Sequence, residues 1–328
     1  MRDLQRRHLL ASAAALCLTP LAGTARAQTY PGGPVKVIVP YAPGAATDNL
    51  ARLLSQALEA SIGSSFIVEN RGGGATQIGT KAVADARPDG QVLGFIDTAF
   101  VINPGLFGTG LPYDTVRDFI PISQVATAPL VFVVHSTVNA RNMQEFVALA
   151  KTDPGKIGFG SAGAGSAPHL TGEQLRMAAG IDITHIAYRG GSTVINDLIG
   201  GHIQCGFTTV PTMVEHIRAG TVRALMVTSP QRAAQLPAVP TSREVGMPDV
   251  DLMPLFGLVA PAKTPAPIVA RLSESASSAV KSGDLGRRLQ ELGFIPVGST
   301  SDEFTARVRS EVAKWNQIIS TRKIRPNT

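Results

Sequence analysis

Hydroxyl, carboxyl and small side chains recur together at two places in the 328-residue chain. In the first, Tyr41-Ala42-Pro43-Gly44-Ala45-Ala46-Thr47-Asp48 follows an apolar run over residues 35–39 and leads into Leu50, Leu53, Leu54, Ala57 and Leu58. In the second, Ser161-Ala162-Gly163-Ala164-Gly165-Ser166-Ala167-Pro168 follows residues 156–160 and leads into His169, Leu170 and Leu175. Small residues ahead of a helix leave its first backbone N–H groups open, at the positive end of the helix dipole, which is chemistry for holding an anion. Two such cradles facing one another would clamp a small acid.

Each residue also has a plainer reading. Thr47 or Asp48 as an N-cap accounts for the first turn by itself. Asp48 is negative and should not touch an anion directly, so its expected work is to cap the helix or to orient neighbouring N–H groups and water. The second turn packs more small residues between strand and helix than a surface loop needs. It ends in Pro168 where a dinucleotide fingerprint has Gly or Ala, and no Walker lysine follows, which argues against nucleotides. His169 is read more simply as a hydrogen-bonded packing residue than as a ligand contact. A serine hydrolase would use Ser161 or Ser166 with His169 as base. Phe159 stands where the first glycine of G-x-S-x-G belongs, and no acid is placed to orient His169, so the chain is read as a non-enzyme. Arg189, following Tyr188 at a glycine turn, can take a second ligand carboxylate bidentately or form a salt bridge on the surface or between lobes. Tyr41 can lie over the ligand or pack in the core. His135, His185, His202 and His216 show no metal-ligand spacing, so neither metal nor cofactor is expected.

The N-terminus reads as an export signal over residues 1–27: Arg2, Arg6 and Arg7, an apolar run over 9–18, and the cleavage site Ala25-Arg26-Ala27. Arg6-Arg7 hints at a twin-arginine route, but a general secretory signal is the preferred reading. Without this segment the formal charge of +6 loses four arginines and one aspartate, 6 − (4 − 1) = +3. That is too weak and dispersed for nucleic acid. Of 2 cysteines only Cys205 remains, so no internal disulfide forms and stability must come from burial.

Strand and helix patterns alternate, which predicts an α/β chain with largely parallel sheets. Strands are expected at 35–39, 65–69, 92–96, 130–134, 183–187, 203–207 and 222–228. Helices are expected from Leu50 and at 78–86, 143–151, 193–199, 214–219, 268–281, 285–292 and 302–319. The two cradles lie about 120 residues apart, each in its own lobe, with a ligand cleft between them beyond the strand ends.

The ordered motifs resemble the periplasmic solute-binding receptors of tripartite tricarboxylate transporters, the Bug-type family. They include Val39-Pro40-Tyr41-Ala42-Pro43-Gly44, Val68-Glu69-Asn70-Arg71-Gly72, Arg87-Pro88-Asp89-Gly90, Ile102-Asn103-Pro104, Gly160-Ser161-Ala162-Gly163, Tyr188-Arg189-Gly190 and Phe256-Gly257-Leu258-Val259-Ala260-Pro261. The resemblance covers nearly the whole chain after residue 27. It implies a two-lobe, type II-like periplasmic-binding-protein fold: residues 28–127 in lobe 1, 128–248 in lobe 2, and 249–328 returning to lobe 1. It also implies a monomer that captures a small organic mono- or dicarboxylate, possibly aromatic, and passes it transiently to membrane subunits. A sensor feeding a membrane signalling partner is the alternative, since both would share the same binding residues. In this family the ligand carboxylate is held by both glycine-rich turns, with Thr98 and Thr208-Thr209 lining the cleft. Amino-acid-binding relatives often carry aspartate at the position of Thr208, so simple amino acids are expected to bind poorly. Leu255 replaces a frequent tryptophan and is expected, with Thr208, Arg189 and Tyr41, to influence which acid binds.

Overall fold

The computed structural model describes residues 30–326; the expected export signal and its cleavage site lie outside them. Chain contacts divide at Gly33, where the larger compact unit begins. In chain order the elements of that unit begin β1 (Val35–Val39), α1 (Ala46–Ile62), β2 (Phe66–Asn70), α2 (Gln77–Ala84), β3 (Val92–Asp97), α3 (Ala99–Phe107), β4 (Phe119–Thr127) and β5 (Leu130–His135). Next come α4 (Met143–Thr152), β6 (Gly158–Ser161), α5 (Ala167–Ala179), β7 (Thr184–Ala187), α6 (Gly191–Ile199), β8 (Cys205–Thr209), α7 (Val210–Arg218) and β9 (Val222–Val227). The chain ends with β10 (Leu255–Pro261), α8 (Ala266–Lys281), α9 (Asp284–Leu292), β11 (Ile295–Pro296) and α10 (Ser301–Arg322).

The strands form two sheets, one in the order β11-β4-β10-β3-β1-β2 and one in the order β7-β6-β8-β5-β9. Strand β5 shows why the second must be covered on both sides. Leu130, Phe132 and Val134 enter one apolar cluster while Val131 and Val133 enter another, the period-2 division of a strand buried on both faces. Helix α1 places Leu50, Leu54 and Leu58 at four-residue spacing, all buried, and packs on β2 and α8. It ends where Gly63 turns left-handed at φ 80° and its N–H donates to the Glu59 carbonyl.

The expectation of largely parallel sheets needs correction. β1 pairs in parallel with β2 and β3, and β6 with β7 and β8. β10, however, runs antiparallel between β3 and β4, and β5 runs antiparallel between β8 and β9. Strand direction leaves no trace in a pattern of two-sided burial, so an inserted antiparallel strand reads like a parallel one. Four elements were not anticipated from patterning: α3, β4, β10 and the two-residue β11. Helix α3 (AFVINPGLF) is apolar nearly all round and carries Pro104, so it has no polar stripe to reveal a helical period. Every residue of β10 is buried.

The chain crosses from the first sheet to the second through residues 128–129 and back through residues 228–254. The crossings are tied together: the Leu130 N–H donates to Thr228 Oγ1 at 3.0 Å, the Thr228 N–H to the Leu130 carbonyl at 2.9 Å, and Thr127 Oγ1 to the Pro254 carbonyl at 2.7 Å.

Candidate ligand-binding cleft

Between the sheets lies a cleft of about 560 Å³, measured out to solvent. Tyr41, Ala45, Ala46, Thr47, Asp97, Pro254 and Phe256 line it from the first sheet's side. Leu130, Ala162, Ala167, Pro168, Gly191, Val194, Ile195, Phe207, Thr208, Thr209 and Thr212 line it from the second's. None of these residues is Lys, Arg or His. Positive potential comes instead from backbone, because the first turns of α1, α5, α6 and α7 all reach the wall: Ala46 and Thr47, Ala167 and Pro168, Gly191, and the N-cap Thr209. Three of these four starts, those of α1, α6 and α7, have no side-chain cap. Helix starts usually satisfy their N–H groups locally; those of α1 and α6 reach the cleft without a side-chain cap, whereas at α7 the Val210 N–H donates to the Pro129 carbonyl at 3.0 Å.

The lobes touch across the cleft mouth. A Cβ on Gly191 would lie 3.0 Å from the Ala45 Cβ, and one on Gly190 3.3 Å from the Ala42 Cβ. At the other turn, Gly165 at φ 75° comes so close to α3 that a Cβ would meet Asn103 Oδ1 at 2.4 Å. The first cradle therefore packs against the turn after β7, and the second against α3. The two share the cleft wall through Ala45, Ala46, Thr47, Ala162 and Ala167 rather than meeting directly.

Asp48 works as a strut. Ala45, rather than Thr47 or Asp48, holds the N-cap position of α1. The Asp48 carboxylate sits one turn in and accepts from the Gly44 N–H at 2.9 Å, from Asn70 Nδ2 at 2.9 Å and from Arg52 Nε at 3.0 Å. Asn70 Nδ2 also donates to the Tyr41 carbonyl at 3.1 Å, so both ends of the turn are held. Burial by itself would raise the Asp48 carboxyl; hydrogen bonds from Arg52, Gly44 and Asn70, with the Arg52 charge, hold it below its ordinary value.

The second turn is held from behind. Ser161 has no exposed surface; its Oγ accepts from the Gly163 N–H at 3.2 Å and lies 2.6 Å from His185 Nε2. Ser166 is the N-cap of α5, accepting from the His169 N–H at 3.4 Å. His169 is buried, its Nδ1 accepts from the Gly165 N–H at 3.1 Å, and its ring stacks on His185 with centroids 4.1 Å apart. The acceptor role puts the His169 proton on Nε2. The hydroxyl of Ser161 thus meets His185 in the interior, not His169, and the hydrolase pairing of Ser161 with His169 is not formed. Ser161, Gly163, Ala164, Gly165, Ser166 and His169 shape the turn, and Ala162 presents it to the cleft.

Three expected positions lie elsewhere. Thr98 faces away from the cleft and its Oγ1 accepts from the Leu255 N–H at 2.9 Å. Leu255 lines, with Thr98, a separate cavity beside Arg243, Arg307 and Trp315. Arg189 is exposed and absent from the cleft wall. Strand alternation explains the first two: Asp97 and Phe256 are register partners on β3 and β10 and face the cleft, so their neighbours Thr98 and Leu255 point the other way.

Asp97, Thr212 and Phe256 also line the cleft, and local sequence pattern does not single them out as site residues. The nearest to a signal is at Asp97, an acid closing a buried apolar strand at its carboxyl end. Tyr41 Oη and the Ala99 N–H each donate to its Oδ1 at 3.0 Å, and Thr47 Oγ1 makes a long 3.5 Å contact with Oδ2. Burial pushes its carboxyl up to about 6, with those donors and its own N–H limiting the rise. Burial first and then the Asp97 charge keep the Tyr41 phenol well above its usual range, so it stays a donor. Thr212 Oγ1 lies 2.9 Å from Thr208 Oγ1 and 3.0 Å from Thr209 Oγ1, making a three-hydroxyl cluster at the start of α7. The expectation about amino acids rested on the lack of an acid at Thr208; Asp97 brings one in from the other lobe and removes that basis.

The family described as tripartite tricarboxylate transporter family receptor matches residues 50–324. The UPF0065 protein of the tcbD-tcbE intergenic region of a Pseudomonas strain is 33% identical, across 100% of this chain and 97% of that protein. Protein BugT of Bordetella pertussis is 32% identical, across 91% and 92%. Among solved structures, periplasmic binding protein BugD superposes with a TM-score of 0.86 at 30% identity, over 90% of this chain and 99% of that one. An R. palustris protein solved with adipate gives 0.87 at 28% identity, over 90% and 99%. MatC from Rhodopseudomonas palustris, with bound malate, gives 0.84 at 26%, over 88% and 100%.

Proposed function

The chain belongs to the tripartite tricarboxylate transporter receptor family, and from that premise we propose that its cleft captures one small organic acid by backbone and hydroxyl groups. It is a periplasmic receptor for a small carboxylate, not an enzyme, with the two-lobe α/β fold of periplasmic binding proteins. The observation that carries the site reading is the convergence of four helix starts, three without a side-chain cap, on a wall that holds no basic side chain among the described residues.

Magnitudes agree. Micromolar binding requires about −8 kcal/mol. Each helix start contributes about 0.3 to 2 kcal/mol, and each hydrogen bond to a carboxylate about 1.5 to 3 kcal/mol. A few of each reach micromolar binding after ordering costs. Leu130, Val194, Ile195, Phe207, Pro254 and Phe256 then meet the carbon skeleton. Adipate and malate in the relatives point to acids of four to six carbons as first candidates. In this reading residues 33–127 and 249–326 form one lobe and 128–248 the other. The receptor acts as a monomer, its export signal is cleaved near Ala27 by the general secretory route, and the closed form engages the transporter's membrane subunits transiently.

The test is thermal unfolding of protein refolded to strip bound ligand, against a panel of aliphatic, hydroxy, dicarboxylic and aromatic acids. A ligand at 100 times its dissociation constant adds about 2.7 kcal/mol. Saturable stabilisation by one or a few acids is expected; a flat panel would sink the reading.

A further inference from the structure

Asp97 is the sole charged side chain among the described residues lining the cleft, and it carries the same sign as the ligand that the helix starts favour. Its two oxygens are not equivalent. Oδ1 accepts from Tyr41 Oη and the Ala99 N–H, both at 3.0 Å, whereas Oδ2 has the long 3.5 Å contact from Thr47 Oγ1. A carboxylate oxygen accepts about two hydrogen bonds, so Oδ2 keeps capacity for a donor. The opposing wall carries Thr208, Thr209 and Thr212, whose hydroxyls are already joined to one another. The antiparallel neighbour of Asp97 is Phe256, whose side chain has no donor to give.

An acid bound at the helix starts with no donor toward Asp97 would set two carboxylates against each other in a partly dry cleft. We propose that Asp97 selects the ligand: the cleft takes a carboxylic acid that also carries a hydrogen-bond donor, a hydroxyl or an ammonium group, meeting Oδ2. The corresponding bare acid enters only with one added proton. The inference rests on the carboxylate-receptor reading and narrows it.

The groups around Asp97 decide where that proton resides. Tyr41 faces it from the turn after β1, Thr47 from α1, Phe256 from β10 and the threonine cluster from the second lobe. Tyr113 adds a buried phenol whose proton the Asp97 charge also helps to retain. Both phenols stay protonated at neutral pH, and Asp48 is bound to Arg52 and Asn70, leaving Asp97 as the site that titrates in the working range.

The experiment is isothermal titration of refolded receptor with the unsubstituted, 2-hydroxy and 2-amino forms of butanedioic, hexanedioic and phenylacetic acids, at pH 6 and pH 8, in buffers of differing ionisation enthalpy. In at least one series a donor-bearing form should bind about tenfold or more tightly than its parent at pH 8, the difference one hydrogen bond to a charged group makes. The parent should gain about tenfold or more on going to pH 6 and take up close to one proton. Whether the hydroxy or the amino form leads identifies the donor. Asp97→Asn keeps an Oδ1 acceptor for Tyr41 and Ala99, and should flatten the parent's pH dependence and erase the discrimination, an outcome that a purely structural role would not produce. Acids that bind wild type with no preference and no proton uptake overturn this inference alone. If no acid binds at either pH, the carboxylate reading fails and takes this one with it.

Discussion

Asparagine at position 97 should stabilise the empty receptor at neutral pH and do little for it at pH 4. The Asp97 carboxyl is pushed by burial up to about 6, against 3.8 for the unperturbed group. The folded state therefore holds a proton between those pH values that the unfolded chain has released, and stability falls as pH rises through that window. At 1.36 kcal/mol per unit, the shift of 6 − 3.8 = 2.2 units sets a ceiling of about 3 kcal/mol. Because the carboxylate opens onto a cleft that admits water, about 1 to 3 kcal/mol is the working range. The measurement is urea unfolding of wild type and Asp97→Asn in half-unit steps from pH 4 to pH 8. Trp315 is the only tryptophan in the chain and is 2% exposed, so its fluorescence reports on the lobe that holds Asp97. Other carboxyls, such as Asp48 and Asp114, titrate in both proteins and cancel in the difference. The variant's advantage should grow by 1 to 3 kcal/mol across the series and level off above pH 7. A difference independent of pH would refute the claim that Asp97 is held in an unfavourable charged state.

Two further predictions test the strut and the closure. Asp48→Ala should cost about 2 to 3 kcal/mol at pH 7 by freeing the Gly44 N–H, Asn70 and Arg52. Its depressed pKa means this contribution is lost as pH falls below the usual carboxylate range, so a cost in urea unfolding as large at pH 3 as at pH 7 would contradict the reading. Gly191→Val places methyl groups where even a bare Cβ would sit 3.0 Å from Ala45, so it should weaken acid binding by tenfold or more while shifting unfolding free energy by less than about 1 kcal/mol. Unchanged affinity by titration would mean that the lobes need not approach here to hold ligand.

Much of the architecture was legible because it is written in local periods. The apolar spacing of Leu50, Leu54 and Leu58 marks a helix before any fold is known, and the two-faced run of β5 marks a buried strand. Helix starts preceded by small residues were legible for the same reason, since dipole and open N–H groups follow from a few consecutive residues. Elements with no contrast between their faces, such as α3 and β10, were not legible, nor was strand direction.

The site divides along the same line. The sequence by itself determined that two small-residue turns open helices and that the chain has the ordered motifs of a carboxylate-receptor family. Tertiary structure decided which side chains meet. It turned Asp97 and Phe256 into the cleft and Thr98 and Leu255 out of it, buried Ser161 against His185, left Arg189 on the surface, and brought the starts of α6 and α7 to join those of α1 and α5. Facing depends on strand register and on how two lobes distant in sequence close on one another, and no local period carries that information.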